Sequence, residues 1–147
     1  MTQVVKYLKT VQANTYTLYL KTQNFHWHVT GEQFFSVHKL LEAQYQDLGA
    51  AIDDIAERIV MLGDKALGTF EELLTYKTIA EAPEKIPATK AMLTNLMDDH
   101  YKVIECLKEC TRIAQDHDDI VTDNLMADRL AFHEKAAWML RATTHAK

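Results

Sequence analysis

Glycine and proline are scarce in this chain, four and two respectively in 147 residues. A fold built from many tight turns needs both, so a strand-rich sandwich or barrel is disfavoured. Cysteine is almost absent: Cys106 and Cys110 are the only two. Four residues apart in a helical stretch, they share one face as reduced thiols but are badly placed for an unstrained disulfide. The plain expectation is two small packed hydrophobes. No apolar run approaches the roughly 18–20 residues a membrane helix needs, and the start, Met1 to Lys6, has no apolar signal core. The expected compartment is therefore the cytoplasm. Basic charge is also short. A formal net charge of -5 gives no general attraction to nucleic acid or to an anionic membrane.

What the chain does have is helical periodicity. Its length fits one domain spanning residues 1–147. A first helix is expected from about Val4 to Val29, with Val4, Leu8, Val11, Leu18, Phe25 and Val29 on one stripe. Gly31 breaks it. A second runs from about Gln33 to Leu62 on the stripe Leu41, Tyr45, Leu48, Ile52, Ile55, Ile59, Leu62. Those intervals alternate four and three, the seam of helices packed nearly antiparallel. Gly63 supplies its stop. The stretch 63–88 holds Gly63, Gly68, Pro83 and Pro87 and reads as a long connection. Within it, Thr69-Phe-Glu-Glu72 opens a short helix. A third helix follows from Ala88 or Thr89, carrying Leu93, Leu96, His100, Val103, Leu107, Cys110 and Ala114. A fourth runs from about Asp119 to Arg141 with Leu125, Leu130, Ala137 and Leu140. The predicted fold class is all-α: a four-helix bundle of two hairpins joined by a long crossover with a short extra helix.

The chemistry concentrates between His26 and Glu57. His26 ends the first helix, and His38, Glu42, Asp53 and Glu57 lie on the second. Imidazole with carboxylate suits iron, manganese or zinc. Taking His38 as zero on a wheel of about 100° per residue, Glu42 falls at about 40°, Asp53 at about 60° and Glu57 at about 100°, beside an apolar stripe near 300°. Axially the set splits. Fifteen residues separate His38 from Asp53, and Glu42 from Glu57, about 22 Å at 1.5 Å per residue. One ion with bonds near about 2 Å cannot join both pairs on one straight helix. Two antiparallel copies across a two-fold axis can, and they make two identical sites per pair. The short turn between the helices adds His26 to the His38/Glu42 half. Di-iron sites inside four-helix bundles use Glu-x-x-His pairs, and none occurs in this chain. Taken singly, each of these side chains reads more readily as a cap or a solvated surface group than as a ligand. The joint spacing is what points to a metal.

The runs Asn24-Phe-His-Trp-His-Val-Thr-Gly31, Phe34-Phe-Ser-Val-His38 and Ala51-Ile-Asp-Asp-Ile-Ala-Glu-Arg58 resemble the signature of the Dps family of mini-ferritins. The resemblance implies a ferritin-like bundle assembled as a shell of twelve identical subunits. It implies an intersubunit ferroxidase centre with His26, His38 and Glu42 from one subunit and Asp53 and Glu57 from its neighbour. Many relatives carry Asp where Glu42 stands. Ferrous iron would be oxidised there, preferentially by hydrogen peroxide, and the ferric mineral stored in the cavity, which protects DNA. Iron is the metal implied, with zinc or manganese as substitutes. Trp27 matches a tryptophan beside the centre, for which the resemblance implies radical quenching; its size equally suits packing.

Asp116, Asp118, Asp119 and Asp123 sit where the fourth helix begins, where capping and the helix dipole already favour carboxylates. In Dps-like shells acidic residues of this region line three-fold pores, so Asp119 and Asp123 carry a pore reading beside the capping one. His100 is expected as a core histidine, and His133 and Trp138 as packing. His28 points about 200° away from His26 and is not expected as a ligand. Some relatives bind DNA through a lysine-rich tail. Here the first ten residues hold only Lys6 and Lys9, and the run Arg141 to Lys147 is mildly basic, so direct DNA binding is disfavoured. The competing readings are a metal-sequestering or structural shell without ferroxidase activity, a nucleoid-associated packaging protein, and a generic monomeric helical bundle whose ligand arc faces solvent.

Overall fold

The computed structural model describes residues 2–145; Lys147, part of the mildly basic C-terminal run, lies outside them. It contains α1 (Gln3–His28), α2 (Phe34–Met61), α3 (Phe70–Tyr76), α4 (Thr89–Asp116) and α5 (Ile120–Thr144), with no strand among the described residues. None of these helices is long and apolar enough to cross a membrane. Local sequence sets the boundaries. Thr2 caps α1 by accepting the Val5 amide. Gly63 takes φ +87 at the end of α2, and the Asp64 amide reaches back to the Ile59 carbonyl, the wrapping bond of a Schellman stop. Thr69 and Glu72 close a capping box on α3. Asp119 starts α5 by accepting the Thr122 amide. The fourth long helix continues three residues beyond the Arg141 expected from the sequence.

Side-chain pairings fix the directions. His26 meets His38 and Tyr19 meets Tyr45, so α1 and α2 are antiparallel. Lys21 pairs with Asp99, Asp47 with Arg129, and Arg58 with Asp119. These connect α1 to α4 and α2 to α5. Both hairpins are local, and the crossover lets α2 and α4 run the same way. The predicted stripes supply most of the core: Leu8, Leu18, Phe25, Leu41, Leu48, Ile55, Ile59, Leu93, Leu96 and Leu107 are fully buried, whereas Tyr45, Leu62, Leu125 and Leu130 are only half-buried.

The crossover is held by polar anchors on α1 that apolar patterning does not reveal. The buried Gln12 amide donates to the Leu67 carbonyl at 2.9 Å and accepts the Leu67 amide at 3.0 Å. Buried Asn14 accepts the Thr78 amide at 2.7 Å and donates to its hydroxyl at 2.8 Å. Lys21 donates to the Ala80 carbonyl at 3.0 Å. The crossover, which also buries Leu67 and Ile79, is thus seated in part by satisfying its own backbone groups.

Between α4 and α5, His100 and His133 are buried, with their Nδ1 atoms 2.8 Å apart. Burial, with the Arg129 guanidinium nearby, pushes His100 down to about 3. Burial, then His100 and Arg129, pushes His133 well below the usual imidazole range. Unfolded imidazoles take protons below about pH 6.5, while the folded pair stays neutral. Their contribution is therefore complete above about pH 6.5 and is lost as pH falls from there towards the depressed folded values. Each imidazole adds at most about 1.4 kcal/mol per pH unit to that slope. Urea unfolding at several pH values should show a shallower acid slope in a His100→Leu/His133→Leu chain. An unchanged slope would assign the acid loss to other groups.

Candidate metal centre

His26 sits on the last turn of α1 and His38 on the second turn of α2, and the short connection between the helices brings their rings together. The rings stack with centroids 3.8 Å apart and planes 11° from parallel. His26 Nδ1 donates to the His38 carbonyl at 2.7 Å, and His38 Nδ1 donates to the His26 carbonyl at 2.8 Å. A carbonyl only accepts, so each Nδ1 carries a hydrogen, and in the neutral form of each ring Nε2 is the atom with the free lone pair. This is the second-sphere arrangement that fixes the tautomer and aim of a metal-binding imidazole. The His26 carbonyl belongs to the last turn of α1, where helix geometry leaves carbonyls without partners. Tyr45 meets His26 edge-on at 5.1 Å, and Phe34 stacks against His38 at 5.0 Å.

Glu42 lies one turn beyond His38. Lys39 donates to its Oε2 at 3.1 Å. That hydrogen bond and the ammonium charge, with smaller contributions from His26 and His38, hold Glu42 below the usual carboxylate range. Asp53 and Glu57 are exposed further along the same helix, one turn apart. Neither enters a hydrogen bond or ion pair among the described residues, whereas Arg58 beside them is paired. Its guanidinium holds Asp119 at 2.7 Å and the Thr122 hydroxyl at 2.9 Å, fixing this end of α2 on α5. One chain therefore brings His26 and His38 together, with Glu42 near them, and leaves Asp53 and Glu57 about 22 Å along the axis. Among the described residues, no three side chains of one chain converge closely enough to hold an ion.

The remaining candidates divide. Burial pushes Asp119 up, but the Thr122 hydroxyl and amide and the Arg58 guanidinium outweigh it and hold the carboxyl below its usual range. Asp123 is half-buried and accepts from the Gln115 amide at 3.2 Å. His28, not expected as a ligand, turns back to the Asn24 carbonyl at 2.7 Å, away from the stacked pair. Trp27 is 57% exposed, and Trp138, expected as packing, is 53% exposed on its own chain. Burial pushes the Cys106 thiol up to about 11, against a hydrogen bond from Asn14, and Cys110 up to about 12, so both are poor nucleophiles. Sequence reasoning missed Lys39, Tyr45 and Phe34 as neighbours of the centre. Tyr45 follows His38 by seven residues, a spacing that already places it on the same face.

A family model described as a ferritin-like domain matches residues 5–146. DNA protection during starvation protein 2 of Bacillus anthracis is 39% identical over 140 residues, 95% of each chain. The chain belongs to the Dps family. Among solved structures, Dps from Staphylococcus aureus superposes on this Dps chain with a TM-score of 0.94 at 30% identity, covering 98% of this chain and 96% of that one. A Dps protein of Vibrio cholerae, described as a member of a broad superfamily of ferritin-like diiron-carboxylate proteins, gives 0.92 at 29% identity over 97% and 89%. The all-α architecture with a short crossover helix is thus the ferritin-like bundle of Dps proteins.

Proposed function

We propose that this Dps chain is a ferroxidase and iron-storage protein whose metal centres form between subunits. The observation that carries the proposal is the division of ligands along α2. Two imidazoles are aimed by reciprocal backbone hydrogen bonds at one end, and two carboxylates without a partner among the described residues lie about 22 Å away. An antiparallel pair of α2 helices completes two identical centres, each built from His26, His38 and Glu42 of one subunit and Asp53 and Glu57 of its neighbour. Exposed apolar side chains flank both halves, Trp27, Phe34 and Phe35 at one and Val60 and Met61 at the other. Such a surface is suited to burial against a second copy. The shell proposed is the twelve-subunit assembly that family membership implies.

Iron is the substrate. The imidazoles and carboxylates bind and orient ferrous ions, and the negative set stabilises the ferric product. Hydrogen peroxide is the oxidant proposed, because a two-electron acceptor that takes one electron from each of two ferrous ions leaves no hydroxyl radical. Ferric mineral then accumulates inside the shell, and DNA is protected by chemistry rather than by contact. Zinc or manganese would occupy the same donors without being stored as mineral. Iron entry is assigned to a pore lined by Asp123. Asp119 shapes that pore by capping α5, its carboxylate being committed to Arg58 and Thr122.

Stopped-flow mixing of ferrous-loaded protein with substoichiometric peroxide tests the function. Rapid ferric absorbance with about two ferrous ions consumed per peroxide is expected of a redox metal centre. Slow oxidation at the rate of iron in buffer would leave a metal-sequestering shell.

A further inference from the structure

Five aromatic rings run in unbroken contact from the imidazole pair to the surface of α1. His38 stacks on His26 at 3.8 Å, His26 meets Tyr45 at 5.1 Å, Tyr45 meets Tyr19 at 6.0 Å, and Tyr19 meets Tyr16 at 6.5 Å. The three tyrosine contacts are edge-on, a favoured geometry for aromatic pairs. Tyr16 is 36% exposed, and Tyr19 and Tyr45 are half-buried. The Tyr19 ring lies directly on the backbone of α2 at Gly49, where an added Cβ would come within 3.1 Å of its Cε2. The glycine, rare in this chain and unfavourable inside a helix, leaves room for that ring. Gln23 donates to the Tyr19 phenol oxygen at 3.2 Å, which sets the direction of the ring. On the far side of the imidazoles the next ring is Phe34, a phenyl that is hard to oxidise. The contacts therefore lead away from the centre through phenols alone. None of these pairs includes Trp27.

We infer that Tyr45, Tyr19 and Tyr16 form a relay that carries a one-electron oxidising equivalent away from the iron centre to the protein surface. The inference rests on the ferroxidase reading and extends it to the under-loaded site. When one ferrous ion meets peroxide alone, it gives one electron, and the products are ferric ion, hydroxide and a hydroxyl radical. The radical takes a hydrogen atom from the Tyr45 phenol, forming water and a Tyr45 phenoxyl. Tyr19 reduces that phenoxyl by one electron; Tyr19 loses its phenol proton to water and Tyr45 regains one. Tyr16 reduces Tyr19 in the same way. A further ferrous ion in solution then reduces the Tyr16 phenoxyl, which takes up a proton, and becomes ferric. The sum is two ferrous ions oxidised by one peroxide, with the second electron delivered at a distance from the first. The relay thus protects the ligand imidazoles from the radical made beside them.

Freeze-quench electron paramagnetic resonance on the assembled protein tests this, with less than one ferrous ion per centre and excess peroxide. Radical yield is measured per ferric ion formed, and ring-deuterated tyrosine identifies the phenoxyl. A tyrosyl signal is expected in wild type, lost in Tyr45→Phe and shifted to Tyr45 alone in Tyr19→Phe, where the path is cut. Both variants keep the ring and its packing, and circular dichroism confirms the fold. A tyrosyl signal equally strong in both variants overturns the relay. So does a radical that survives in them but disappears in Trp27→Phe, which would assign the hole to Trp27. Normal ferric formation with no phenoxyl overturns the relay and leaves the ferroxidase standing; no ferric formation overturns both.

Discussion

Shells assembled from an equal mixture of His26→Ala and Asp53→Ala subunits should recover roughly a quarter of the wild-type rate of ferrous iron oxidation, although each variant alone is nearly inactive. Random pairing makes half of all two-fold pairs mixed. In a mixed pair, one centre takes its imidazoles from the His26→Ala subunit and its carboxylates from the Asp53→Ala subunit, and is doubly broken. The other takes both intact halves. One centre in four therefore survives. Each single variant should fall by more than the roughly 10–100-fold that follows loss of a mere outer-shell partner, since a ligand itself is gone. The mixture must be unfolded and refolded together, and intersubunit mixing verified by mass spectrometry of differently tagged chains. Verified mixed shells with no recovered activity would place the whole centre within one subunit. A fast Asp53→Ala homo-shell would remove Asp53 from the ligands.

The sequence carried the helices because four–three apolar spacing is a local, repetitive signal. Leu41, Leu48, Ile52, Ile55 and Ile59, chosen from that spacing, are all buried. It carried the division of the candidate ligands for the same reason: helix rise converts residue separation directly into distance. It did not carry the reciprocal clamp of His26 and His38, which depends on how a short turn closes and on carbonyls that only the closed hairpin exposes. Nor did it reveal the buried polar anchors. Gln12, Asn14, Lys21, Asp99 and Arg129 carry polar side chains on core-facing positions, and their partners lie on other elements or in the crossover. Hydrophobic patterning assigns such residues to solvent. Trp138 fails in the opposite sense: a large aromatic expected inside is exposed, as a surface that meets another copy would be.

Asp99→Ala should destabilise the protein by about 3–5 kcal/mol, the cost of leaving a buried charge without its partner. Lys21 and Asp99 lie 2.6 Å apart, with side chains only 2% and 4% exposed. The pair is not a strong source of net stability. Burial raises the Asp99 carboxyl above its usual range, even though the Lys21 hydrogen bond and charge, with Lys102, act to lower it. Desolvation thus exceeds the attraction at the carboxylate, as continuum arguments expect for a dry ion pair. The linkage has a definite sign. A carboxyl whose folded value is raised favours the protonated folded state, so its contribution is largest at low pH and declines as pH rises through the raised value. Removing one partner is nevertheless costly, because Lys21 keeps only the Ala80 carbonyl and must either remain charged in an apolar seam or give up its proton. Replacing both, as Lys21→Met/Asp99→Leu, removes the two desolvation costs together and should restore most of the loss. Thermal unfolding at one fixed subunit concentration gives the comparison, since assembly into the proposed shell would make the midpoint concentration-dependent. A double variant as unstable as Asp99→Ala would mean that the pair holds α1, α4 and the crossover in register by geometry that no apolar pair reproduces.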